Sequence, residues 1–328
     1  MEFFEIFTPQ LVNSGIRLAT PIILAAMAGV LSEQAGILNL ALEGKMLLGA
    51  FLGIVAAYFL GNTTLGIIAA MAAGGVLVLL FAFLYHRYAV DLIILAISLN
   101  LLILEMTVYM TRLLFGQVGS WSDPSIVRVP DIHIPIIKDI PVLGTLVSGY
   151  NWIVYFAWFS VLAIYVLLFH TKFGRHIRAV GENKDAAETV GINSRRIQTL
   201  ALVLAGMLAA LGGAFLSVGH LKLFTRNMSN GRGWTALAAV LFGVKHPVWT
   251  FLASLFFGFS DAFAVRVQNV TDLPPNLVQV LPHLATLIVL VLVALRERAR
   301  ILLARRRFRM QLRAAEGITA EPEPAADR

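Results

Sequence analysis

The 328-residue chain is long enough for two soluble domains, yet 58% of it is hydrophobic and only 14% charged, a balance that argues against an ordinary water-soluble fold. The formal net charge of +7 would suit nucleic acid, but eight arginines cluster between Arg296 and Arg313, directly after the last apolar run. That placement fits cytoplasmic anchoring and contact with membrane lipids and argues against nucleic-acid binding; the absence of cysteine removes any disulfide framework or thiolate metal site.

The first residues, MEFFEIFTPQ, are acidic and lack the basic n-region of a signal peptide. Apolar stretches near the ~20 residues that a spanning helix needs follow at 11–31, 37–60, 65–84, 92–115, 152–169, 197–217, 248–265 and 278–295. A shorter run, WTALAAVLFGV at 234–244, reads as an incomplete further span. The expected fold class is therefore an all-α integral membrane protein with about nine (8–10) transmembrane helices. Residues 1–300 form the transmembrane domain and 301–328 a tail that is basic and then disordered.

Loop charge sorts the sides. The basic loops 86–91 and 170–196 and the arginine-rich tail are cytoplasmic by the positive-inside rule. The loop 116–151, with Arg128 and Lys138 against Asp123, Asp131 and Asp139 and with four prolines, is outer. Counting back through the spans puts the N-terminus outside; counting forward puts the tail inside only if 234–244 crosses. Loop 218–233 strains the rule, because parity makes it outer although it carries Lys222, Arg226 and Arg232. A faint repeat accompanies this count. LAAMAG (24–29) resembles LAALGG (208–213), and each precedes a polar, glycine-containing stretch and a small-residue helix. The two copies, about 11–115 and 197–295, would run in opposite directions, as in transporters built from inverted repeats.

Polar residues inside apolar sequence mark candidate sites, since an ionisable group in hydrocarbon is costly without a partner, cavity or water. AGILNLALEGKMLLGAF (35–51) holds Asn39, Glu43 and Lys45. Two readings stand: Glu43 and Lys45 lie at the membrane surface and cap a helix starting at Gly44, or 36–43 is irregular backbone dipping toward a pathway, with bends at Gly36 and Gly44. AISLNLLILEMTVYM (96–110) carries Ser98, Asn100, Glu105 and Thr107, of which Asn100 and Glu105 are the better cavity candidates and the other two ordinary hydrogen-bonding groups. Gly206, Ala210 and Gly213 form a stripe for close helix packing. Asp261 is a lone acid in a span, near Arg266, and His283 reads as a local bend. Asn39, Glu43, Asn100 and Trp234, which opens the incomplete span, are the expected lining or border of a translocation pathway. No nucleotide-binding, kinase, hydrolase or metalloprotease motif occurs, so neither enzymatic activity nor a cofactor is expected.

GRHIRAVGENKDAAETVGI (174–192) interrupts this apolar chain with charge and glycine. Asn183 suits an N-cap, Asp185 and Glu188 place negative charge near a helix start, and Gly191 suits the C′ position. Ala186, Ala187 and Val190 make a small apolar face. A helix of about eight residues is marginal alone, so it must dock, either on its own protein or on a partner.

The run FGRHIRAVGENKDAAETVGI with the following LALVLAGMLAALGGAFLS resembles permease subunits of bacterial ABC importers, the group that includes ribose-type and branched-chain amino acid permeases. EQAGILNLALEGKMLLGAF (33–51) and NGRGWTALAAVLFG (230–243) narrow the likeness to the nucleoside and simple-sugar permeases, over roughly residues 15–295. By that resemblance, 170–196 carries a cytoplasmic coupling helix whose Gly181, Glu182, Asn183, Asp185, Ala186, Ala187, Val190 and Gly191 meet a separate ATPase subunit. It also implies a second, paralogous permease chain, an extracytoplasmic substrate-binding protein and the bacterial inner membrane. The substrate class implied is a nucleoside first and a simple sugar second. Alternatives are an ion-coupled secondary transporter using Glu43, Glu105 and Asp261, a branched-chain amino acid permease, and a scaffold without flux.

Overall fold

The computed structural model describes residues 9–88, 90–132 and 148–270. These lie in the first of two units into which the chain divides, 1–278; the second, 279–328, falls outside the described residues, as do the expected last span, His283 and the arginine-rich tail.

Long apolar sequence with no way to hydrate its amides makes helices, because only intrahelical hydrogen bonds satisfy the backbone in lipid. Helices α1 (Pro9–Gln34), α2 (Leu42–Leu60), α3 (Thr63–Tyr88) and α4 (Leu92–Phe115) come first. Then follow α5 (Trp152–His170), α6 (Lys172–Glu182), α7 (Lys184–Thr189), α8 (Ser194–Ala214), α9 (Arg232–Phe242) and α10 (Pro247–Val270). A π-helical stretch, Phe215–Leu221, prolongs α8. Among the described residues seven helices are long and apolar enough to span a bilayer, and each falls on an expected span. One boundary is corrected. The span expected over 37–60 is helical only from Leu42, so neither a start at 37 nor one at Gly44 holds.

Helix α8 sits at the centre, and small residues let it do so. A Cβ on Gly213 would fall 1.7 Å from the Met46 carbonyl oxygen, and one on Gly49 would fall 2.0 Å from that of Ala210. Gly74 and Gly206 meet in the same way on the α3 side. Without a hydrophobic drive between helices in lipid, such close approach is what dispersion needs, and the glycine–alanine stripe is structural as expected. The most apolar 18-residue windows of α1 and α8 are 83% and 78% buried, that of α4 only 28%. Helix α4 is thus a peripheral wall.

Short strands tie the loops together at one end. β1 (Ser120–Trp121) pairs antiparallel with β4 (Phe224–Thr225), and β2 (Asp131–Ile132) with β3 (Tyr150–Asn151). Arg17 near the start of α1 donates to the Gly149 carbonyl at 2.9 Å and lies 3.6 Å from Asp131. Loop 218–233 therefore shares an end with 116–132 and the N-terminal end of α1, as parity demands and its charges do not. Arg226 pairs with Glu105 at 3.1 Å. At the opposite end the foot of α1 meets Gly181 of the 170–196 loop and the start of α8, where Gln198 donates to the Ala35 carbonyl at 3.1 Å. It also meets the end of α9, where Lys245 pairs with Glu33 at 2.8 Å.

Candidate functional site: a polar junction and the loop at its foot

Helix α1 stops because Gly36 takes a left-handed conformation, φ +78°, which costs glycine little. The amide of Ile37 then donates to the Ser32 carbonyl and that of Gly36 to the Glu33 carbonyl, each at 3.0 Å, a Schellman closure. Residues 35–41 continue without helix, with Ala35, Ile37, Asn39 and Ala41 buried, so their buried polar groups need partners. Asn100 of α4 supplies two of them: its Nδ2 donates to the Leu40 carbonyl at 2.9 Å, and its Oδ1 accepts from the Gly44 amide at 2.8 Å. Asn39, 1% exposed, donates to Ser32 Oγ at 2.9 Å and accepts from Lys45 Nζ at 2.6 Å.

Lys45 is fully buried. Its ammonium lies 5.1 Å from the centroid of the Phe81 ring and has no carboxylate partner among the described residues. Lys45 is thus enclosed by protein, the helix begins at Leu42 and not at Gly44, and 36–41 is irregular backbone. The network supplies in place of water one amide oxygen and a ring face, a cation–π contact that is strongest when desolvated.

Glu43 does cap a helix, but on the far side of the sequence. Its two carboxylate oxygens accept from the amides of Gly231, at 2.8 Å, and Gly233, at 2.7 Å. These amides open α9, so one carboxylate takes two of the four donors that a helix start leaves unpaired and meets the positive end of the dipole. Gly233 permits the approach, since a Cβ there would fall 2.5 Å from the Glu43 nitrogen. Helix α9 has eleven residues, about 16 Å of rise and roughly half the ~30 Å hydrocarbon core. Irregular backbone between β4 and Gly231 leads into it. The starts of α2 and α9 thus meet at one polar junction. It gathers Asn39, Glu43 and Asn100, with Trp234, 46% exposed, adjoining Gly233. Ser32, Lys45 and the Gly231 and Gly233 amides belong to the same junction, and the sequence reading left them out of the pathway set. Glu105 stands apart, 64% exposed and paired with Arg226.

The loop 170–196 contains two helices where one was expected. Thr171 Oγ1 caps α6 by accepting from the Gly174 amide at 3.0 Å. The apolar Ile177 and Val180 of α6 are buried, while Arg178 lies 4.8 Å from the Phe169 ring centroid. Alternation of charge with Ile177 and Val180 at helical spacing was the signal for α6. Asn183 turns the chain and caps α7, its Oδ1 accepting from the Ala186 amide at 3.0 Å. Glu188 accepts from the Ser194 hydroxyl. Gly191, φ +83°, closes the turn. The cap assignments at Asn183 and Gly191 agree with the sequence, but α7 has six residues rather than about eight. Its apolar face is also divided. Ala187 is 4% exposed, packed on its own protein, whereas Val190 is 73% exposed and Ala186 is exposed. Glu182 and Asp185 are exposed as well. Gly181 is fitted against α1, where a Cβ would fall 2.1 Å from the Gln34 carbonyl oxygen.

Seven bilayer-length helices around a broken, polar helix junction, with an exposed amphipathic loop at its foot, define a multi-pass membrane transport protein. The family model for the branched-chain amino acid transport system permease component matches residues 11–292. The chain belongs to that family. It is 33% identical over 287 residues to the guanosine ABC transporter permease NupQ of Bacillus subtilis, covering 83% of this chain and 88% of that protein. It is 32% identical to the nucleoside ABC transporter permease NupC of Lactococcus lactis, over 84% of this chain and 89% of that one. A putative glucose ABC transporter permease of Haloferax volcanii, TsgC13, is 32% identical over 82% of each. No solved structure gives a significant match.

Proposed function

We propose that this chain is a permease subunit of an ATP-driven ABC importer that passes a neutral, hydroxylated solute, a nucleoside in preference to a simple sugar. The observation that carries the solute class is the Glu43 carboxylate on the start of α9. A helix start inside a transporter is a ready receiver for a substrate carboxylate. Here it is already taken up by a carboxylate of the protein, which favours a solute without a carboxylate over a branched-chain amino acid. The names of the relatives point the same way.

In this reading Asn39, Glu43, Asn100 and Trp234 line or border the pathway, and α6–α7 couples it to an ATPase that supplies the hydrolysis this chain lacks. Residues Gly181, Glu182, Asn183, Asp185, Ala186, Ala187, Val190 and Gly191 form the coupling element, with Gly181 and Ala187 anchoring it and Ala186 and Val190 facing the partner. A second permease chain and an extracytoplasmic binding protein complete the assembly, in the bacterial inner membrane. The inverted repeat draws support from the meeting of the α2 and α9 starts, and the span count of about nine from the seven bilayer-length helices and the short α9 among the described residues.

The ion-coupled alternative needs free carboxylates, but Glu43 is bound to α9 and Glu105 to Arg226. Uptake of labelled guanosine, glucose and leucine by vesicles holding the full transporter, with and without internal ATP, tests the proposal. ATP-dependent guanosine uptake is the expected result. Uptake that follows a proton or sodium gradient without ATP, or that favours leucine, would overturn it.

A further inference from the structure

The foot of α3 and the start of α8 border an open groove of about 270 Å³, lined by Leu79, Phe83, His86, Arg87, Arg195 and Thr199 among others. Leu79 and Phe83 are one helical turn apart and 49% and 55% exposed. Outside the groove lining, α8 also exposes Leu200 and Leu204, by 53% and 36%. Both helices are of bilayer-spanning length, which suits these exposed side chains to acyl chains. The other lining residues are of a different kind. Arg87 and Arg195 are exposed, and neither has a carboxylate partner among the described residues. His86 Nε2 is buried with no hydrogen-bond partner. No carboxylate lines the groove.

We propose that this groove binds one anionic phospholipid, with its phosphate between Arg87 and Arg195 and an acyl chain along Leu79 and Phe83. Two unpaired guanidiniums at the end of a spanning helix stand at headgroup depth, where arginine is favoured and attracts anionic lipid. Arginine suits phosphate through its paired donors. The apolar wall selects a lipid over a free phosphate, because a small anion gains nothing from Leu79 and Phe83. Arg195 belongs to the 170–196 loop, so a bound lipid would touch the element that leads from α7 into α8.

The test is native mass spectrometry of the purified transporter complex, titrated with phosphatidylglycerol, phosphatidylcholine and inorganic phosphate. The unaltered complex should hold one more phosphatidylglycerol than an Arg87→Gln/Arg195→Gln complex, with a preference over phosphatidylcholine of about tenfold or more. A Leu79→Trp complex, which keeps both charges but fills the wall, should also lose that lipid. Lipid bound elsewhere, including at the basic tail, cancels in these differences. Equal phosphatidylglycerol binding by all three complexes would overturn the proposal. So would displacement by millimolar inorganic phosphate, which makes the groove an ion site. Loss of the ATPase from the double variant with lipid binding unchanged would instead assign the arginines to a protein partner.

Discussion

Gly36 and Gly181 lie backbone against backbone: a Cβ on Gly36 would fall 3.0 Å from the Gly181 Cα. The contact joins the foot of the broken segment 35–41 to the last turn of α6. Through it the loop proposed to meet the ATPase touches the segment that carries Asn39 and leads to the Glu43–α9 junction. A side chain at either position would wedge the two apart.

Gly181→Ala should therefore reduce ATP-dependent uptake about tenfold or more while the ATPase still co-purifies, because its Cβ meets backbone that cannot step aside. Gly61→Ala is the control, since nothing lies within 4 Å of its Cβ. It carries only the left-handed strain of about 1–2 kcal/mol. Uptake unaltered in Gly181→Ala would remove the proposed connection.

Ala186→Arg and Val190→Asp should abolish ATPase co-purification and uptake at normal permease abundance, since both positions are exposed. An unpartnered charge buried at an interface weakens association by ~3–5 kcal/mol. Ala187→Arg should behave differently and lower permease abundance, because Ala187 is buried against its own chain. Wild-type ATPase recovery with both exposed-site variants would show that α7 is not the coupling contact.

Glu43→Ala removes two charge-assisted hydrogen bonds, each worth ~1.5–3 kcal/mol, and bares the start of α9. Thermal unfolding in detergent should fall clearly, and uptake with it; Glu43→Gln, which retains one oxygen acceptor, should fall less. Asn100→Leu leaves the Gly44 amide and the Leu40 carbonyl unpaired, at ~1–3 kcal/mol each. Should both Glu43→Ala and Asn100→Leu match the unaltered protein in stability and uptake, the junction has no role.

Single-cysteine labelling reads topology cleanly in a chain without native cysteine. In intact cells an impermeant thiol reagent should reach Ser125→Cys and Thr225→Cys, which lie at one end of the molecule, and spare Asn183→Cys. Labelling of Asn183→Cys alone would invert the proposed orientation.

Period, length and composition sufficed for the spanning helices, because a bilayer leaves the backbone few choices. Caps at Asn183 and Gly191 were equally legible, being local hydrogen-bond chemistry. Asn39, Glu43, Asn100 and Trp234 stood out as polar or bulky residues in apolar or small-residue runs. What they bond to was not legible. Glu43 and Gly233 are 190 residues apart, and no local pattern says that one carboxylate will close another helix. The burial of Lys45 was hidden for a related reason: its hydrogen-bond partner Asn39 is only six residues away, but the ring face it meets belongs to Phe81 of another helix.

By itself, then, the sequence determined that this chain spans a membrane many times, which of its loops are basic, and where a short capped helix interrupts them. These follow from solvation of backbone and charge, which depends on nearest neighbours in sequence. Only the tertiary structure decided that Glu43 closes α9, that Ala187 faces in while Val190 faces out, and that Gly36 meets Gly181. Those outcomes depend on which helix faces pack together, and packing is a property of distant residues brought within van der Waals contact.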